Sequence, residues 1–178
     1  CPSDSQIGSL NVGTGAGSTP LYVPGKAYLA GPYKGAPLSM AFVTPAVAGP
    51  FDLGTVVVRA ALFVDPDTTQ VRAVSDQLPQ ILQGIPLNIR SLALKVDKPN
   101  FTLNPTNCSA TKVEGSTQSV FGQTANLQSH FQVGDCGLLG FKPSLALSLK
   151  GGTKRAQYPA LTALVSTRPG DANIATTS

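Results

Sequence analysis

The chain has 178 residues, of which 42% are hydrophobic and only 12% charged, with a formal net charge of +4. That apolar content excludes a disordered chain, and the length suffices to bury a core without help from a metal. The 18 glycines and 15 prolines leave no room for helices of normal length, nor for a transmembrane helix of about 20 apolar residues.

What remains is strand pattern, taken here in chain order. Gln6 to Val12 predicts a first strand. Gly13-Thr14-Gly15-Ala16-Gly17 resembles a phosphate loop, but Ser18-Thr19-Pro20 follows it instead of a helix, so the anion-holding amides are missing. Short strands follow at Lys26 to Ala30 and Leu38 to Thr44. Thr55 to Val64 is apolar on both faces, which suits a central strand; Asp65-Pro66-Asp67-Thr68 is a turn, and Gln70 to Val74 returns antiparallel. From Leu87 to Val96 the apolar phase switches between Ile89 and Leu92, which predicts a β-bulge near Arg90 and Ser91. Beyond Lys98 to Thr106, strands are expected at Thr111 to Glu114 and Gln118 to Phe121. The clearest alternation follows, with Ala125, Leu127, Phe131 and Val133 set against Asn126, Gln128, His130 and Gln132. Leu145, Leu147 and Leu149 alternate with polar or small residues, and Ala160 to Val165 is the last strand.

About eleven short strands separated by turns predict an all-β fold, an antiparallel β-sandwich of Ig-like or related type. Two packed β modules fit the strand count: a sandwich module at 1–103 and a second β-rich module at 104–178. The second is short of strands and would be completed by a neighbouring chain or segment. A single 1–178 domain is the alternative. The polar end, Asp171 onward, reads as a cut through something longer.

Cys108 and Cys136 each sit beside a strand and are expected to form a disulfide, which points to an oxidising, extracellular setting. Two free thiols are the alternative. Cys1 is left over. It would pair outside the segment, with a cysteine upstream in a longer parent, or be a lipidated N-terminus. Asn100-Phe101-Thr102 and Asn107-Cys108-Ser109 match the N-glycosylation pattern, whereas proline blocks Asn104-Pro105-Thr106.

Catalytic chemistry finds little support. His130 is the single histidine and falls on the polar side of its strand. There is no Gly-x-Ser-x-Gly elbow, and most acids are lone aspartates beside turns. Asp65 and Asp67 could share a calcium ion but have no third carboxylate near them in sequence. No metal site and no cofactor is expected, and no enzyme. The basic cluster Lys150, Lys154 and Arg155 is too small to propose nucleic-acid binding, though weak attraction to an acidic cell wall or membrane surface is compatible with it. Sugar sites usually stack on aromatic rings; without tryptophan, Tyr28 and Tyr33, which bracket Gly31-Pro32, are the candidate ligand-binding pair.

Several phrases taken together carry a resemblance. They are Cys1-Pro2 with Ile7-Gly8, Tyr28-Leu-Ala-Gly-Pro-Tyr-Lys-Gly-Ala-Pro37, Pro45-Ala-Val-Ala-Gly-Pro-Phe-Asp-Leu-Gly54, Gly84-Ile-Pro-Leu87 and Asn100-Phe-Thr-Leu-Asn-Pro-Thr-Asn-Cys108. They resemble β-rich modules of long secreted or surface proteins of Gram-positive bacteria. The resemblance implies an extracellular or cell-surface location, a modular parent and a cysteine upstream of Cys1, but no catalytic residues. The expected function is thus a non-catalytic structural module of a surface protein, adhesin or self-assembling fibre. Its partners would be copies of itself, adjacent modules, or a cell-wall or glycan surface. The alternative is a secreted glycan- or ligand-binding sandwich module.

Overall fold

In the computed structural model, residues 1–105, 108–174, 176 and 177 are described. The chain is all-β with antiparallel sheets throughout, including one curled six-stranded sheet, and is sandwich-like as expected. It divides into two compact units, Cys1–Thr102 and Leu103–Ser178. The division falls one residue before the boundary read from the sequence.

Unit 1 is built on strands β1 (Gln6–Thr14), β2 (Leu21–Ala30), β3 (Leu38–Ala48), β4 (Phe51–Val64) and β5 (Val71–Ser75). Two-residue strands β6 (Ile81–Leu82) and β7 (Ile85–Pro86) form a small hairpin of their own, and β8 (Ser91–Val96) rejoins the main sheet. The strand order is β5-β4-β3-β2-β1-β8, a meander to which the last strand is added beside the first. Register explains the core. Gly8, Leu10 and Val12 of β1 lie opposite Ala27, Gly25 and Val23 of β2; Ala27 lies opposite Phe42 of β3, and Phe42 opposite Val58 of β4. These residues share one face, where Ile7, Leu10, Ala27, Phe42 and Ala60 make the buried cluster. Gly8 is required by close approach, because a methyl group there would run into the backbone carbonyl of Lys95 in β8.

Three local readings change. β3 and β4 run on to a two-residue turn at Gly49-Pro50, with Ala48 paired to Phe51 and Gly49 at φ 58°, a glycine position favoured in hairpins. Pro45 fits because the ladder is irregular between Pro45 and Val47. Leu87 to Val96 is not one bulged strand. Residues 87–90 precede β8, and Leu87 and Ile89 help to line a cavity under the sheet, so the phase switch marks a strand start. Gln118 to Phe121 is not a separate strand either. The strand from Thr111 continues to Gln118, and Ser119 then closes a turn by bonding across to Gln123.

Unit 2 holds two hairpins, β9 (Thr111–Gln118) with β10 (Thr124–Phe131) and β11 (Ser144–Lys150) with β12 (Ala160–Ser166). A disulfide joins Cys108, before β9, to Cys136, after β10, and so closes the open end of the first hairpin. Gln132 reinforces that closure by donating its side-chain amide to the Cys108 carbonyl at 2.8 Å. The second hairpin is tied at its base by a hydrogen bond from the Ala172 amide to the Gly140 carbonyl (2.9 Å) and by the Arg168–Asp171 ion pair.

Candidate functional site

Three places in the chain gather features that could act on something else. The first is the cavity beneath the unit 1 sheet. Leu78, Pro79, Leu87 and Ile89 of the segment between β5 and β8 line it together with Phe42 and Val58 of the sheet. Its volume is about 70 Å³, well below the roughly 300 Å³ at which small-molecule pockets begin. Its lining is apolar but for Thr14 and Thr44. It is a packing gap under a covering loop.

The second is a polar cluster on the other face of the same sheet. Lys34 and Gly35, both at positive φ, form a tight turn between Tyr33 and Ala36, whose backbones bond to each other. The turn presents Tyr33 to Asp76, just after β5. The Tyr33 hydroxyl donates to Asp76 Oδ2 at 2.6 Å, and Lys34 Nζ reaches Asp76 Oδ1 at 2.5 Å. The Asp76 amide bonds to the Arg59 carbonyl at 2.8 Å, and the Arg59 guanidinium donates to Ser39 Oγ at 2.6 Å. Hydrogen bonds from Lys34 and Tyr33 hold the Asp76 carboxyl below its ordinary range. The bond to Asp76 pushes the Tyr33 phenol up, and the same carboxylate raises the Lys34 ammonium. All three groups move away from neutrality, so none is poised for proton transfer near pH 7. The cluster clamps the β2–β3 connection to β4 and to the end of β5.

This geometry corrects the sugar-stacking pair. Tyr28 is buried within β2 and offers no ring face to a ligand. Tyr33 is half-buried, with its hydroxyl committed to Asp76 and Arg59 over its ring. Neither Arg59 nor Asp76 was legible as a partner, because Asp76 lies 43 positions from Tyr33 and no local pattern announces the contact.

The third is unit 2, where strand register sorts the side chains into faces. Along β11–β12, Leu145 pairs with Val165, Leu147 with Ala163 and Leu149 with Leu161, all on one face. The opposite face carries Ser144 with Ser166, Ala146 with Leu164, Ser148 with Thr162 and Lys150 with Ala160. β9–β10 sorts likewise: Val113, Ala125, Leu127 and Phe131 share a face, while Glu114 with Gln128 and Lys112 with His130 occupy the other. None of these apolar residues is buried; Leu145, Leu147 and Leu161 are each more than 60% exposed.

The remaining expected residues are placed as follows. Cys108 and Cys136 are bonded, and Cys1 is exposed and unpaired within the chain. His130 is exposed on the polar face of β10. Asp65 accepts bonds from the amides of Asp67 and Thr68 and from the Thr68 hydroxyl, which makes it a turn residue. Among the described residues no group of three His, Cys, Asp or Glu could hold a metal ion, and no helix is long and apolar enough to cross a membrane. Asn100 is exposed, whereas Asn107 of the second glycosylation pattern lies outside the described residues.

No family model, no curated protein and no solved structure matches the chain.

Proposed function

We propose that this chain is a non-catalytic, extracellular structural module of a surface protein or self-assembling fibre, whose second unit is completed by contact with a neighbour. One observation carries the reading: every buried hydrophobic side chain of the described residues lies in unit 1, between Ile7 and Ala61, and none lies in unit 2. A lone two-stranded hairpin is marginal in water and needs further strands or a packed face. Unit 2 has two such hairpins with their apolar faces open. Exposed apolar surface of this extent marks an interaction site. The Cys108–Cys136 disulfide supports an oxidising compartment, and so do the phrases resembling secreted proteins of Gram-positive bacteria.

The neighbour on β9–β10 is a second copy of the chain. That hairpin's two charges, Lys112 and Glu114, pair with each other at 2.7 Å, so copies can approach without net repulsion. Light scattering of the full chain over a range of concentrations tests this. Concentration-dependent particles that shrink in the Leu127→Ser, Phe131→Ser double variant are expected. A monomer at every concentration would overturn the reading.

A further inference from the structure

The β11–β12 hairpin differs from its neighbour in charge. Residues 136–170 contain Lys142, Lys150, Lys154, Arg155 and Arg168 and no acidic residue at all. Of these, Arg168 is spent on Asp171. Lys150, Lys154 and Arg155 are exposed and have no ion-pair partner among the described residues. They cluster at the end of the hairpin and in its connecting loop, where Lys154 and Gln157 close a turn. Tyr158 follows in the same loop and is 96% exposed. The hairpin therefore combines an open leucine face, a basic tip and a bare tyrosine.

These features select among occupants. Two copies of a hairpin with this charge would repel, so a second copy is disfavoured. A soluble polyanion would satisfy the cations but leave Leu145, Leu147 and Leu149 in water. An anionic lipid surface answers both. Phosphate headgroups attract Lys154 and Arg155 in the loop, the acyl boundary receives the leucine face, and tyrosine favours the interface between them; Lys150, on the face opposite the leucines, takes no part. We propose that the β11–β12 hairpin docks on the surface of a bilayer containing anionic lipid. The inference rests on the reading of unit 2 as a contact unit and names the partner of one of its two hairpins.

Vesicle flotation with the full chain tests it, using phosphatidylcholine vesicles with and without phosphatidylglycerol. Binding to the mixed vesicles only, and release at high salt, is expected. The Lys154→Gln, Arg155→Gln variant should partition about twenty-five-fold more weakly, at roughly five-fold per cation. Leu147→Ser should also weaken binding; this residue is 63% exposed, so its loss does not unpack a core. Lys26→Gln, an exposed residue of unit 1, should leave binding unchanged. Equal binding to both vesicle types, or full binding by the Lys154→Gln, Arg155→Gln variant, would overturn the proposal. So would capture by soluble polyphosphate that is indifferent to Leu147→Ser, since that outcome describes a polyanion site. Light scattering without vesicles keeps the two readings apart: a chain that assembles yet ignores anionic vesicles refutes this inference alone.

Discussion

The guanidinium carbon of Arg59 lies 3.9 Å from the centroid of the Tyr33 ring, over a residue whose hydroxyl is itself bonded to Asp76. A cation over that ring and a carboxylate on its hydroxyl fix the tyrosine from two directions. The β2–β3 connection is thereby fastened to two later strands, and acid should loosen it.

Asp76→Asn measures that dependence. The folded state holds the Asp76 carboxyl low, chiefly through Lys34 and then Tyr33, so it binds the proton less readily than the unfolded chain. The resulting stability is present above the ordinary carboxylate range and is lost as pH falls through the lowered folded value. Thermal unfolding should show the variant less stable than the parent at neutral pH, with the gap closing in acid. A gap that stays constant from neutral to acid pH would remove the charge from the explanation.

Ile7 is 2% exposed within the unit 1 cluster. Ile7→Ala should cost about 2–5 kcal/mol, the transfer free energy of the lost groups plus the cavity left behind. Denaturant unfolding of unit 1 reads this directly, and a loss well under 1 kcal/mol would mean that the cluster is not packed as described.

Gly8→Ala should destabilise by about 1–3 kcal/mol through overpacking, because its methyl group meets backbone and not a movable side chain. Gly31→Ala provides the contrast, with open space around its added atom. Amide exchange should accelerate first in β8. Equal effects from the two substitutions would count against the β1–β8 contact.

Reduction of Cys108–Cys136 frees a loop with a sequence separation of 28 residues. In the chain-entropy account that loop is worth roughly 3–4 kcal/mol. Exchange should rise in β9 and β10 on reduction while β1 to β4 stay protected. Unchanged protection in β9 and β10 would show that the hairpin does not depend on its staple.

Much of this fold was legible because it is local. The alternation around Leu127 and Leu147 places β10 and β11, and the two-faced apolar run from Thr55 to Val64 places β4 inside the sheet. Asp65 marks its own turn, since the hydrogen bonds it makes are two and three residues away. What depended on distant partners stayed hidden. Leu87 and Ile89 look like strand residues until the sheet beneath them gives them a cavity to line. Tyr28 and Tyr33 look like a pair because they are close in sequence, yet strand burial takes one and a contact 43 positions away takes the other. The open leucine face of β11 was visible as alternation, but its match to Leu161, Ala163 and Val165 needed the register. The absence of acids across residues 136–170 was countable from the start; only the hairpin geometry shows why it matters.

The pairing of β1 with both β2 and β8 also sets an order of events during synthesis. β1 is synthesised before β8, and the strand that covers its outer edge begins only at Ser91. At about 5–20 residues per second, that edge stays unpaired for several seconds. For that interval the free edge of β1 is an open template, which a strand of another chain could fill in place of its own eighth strand.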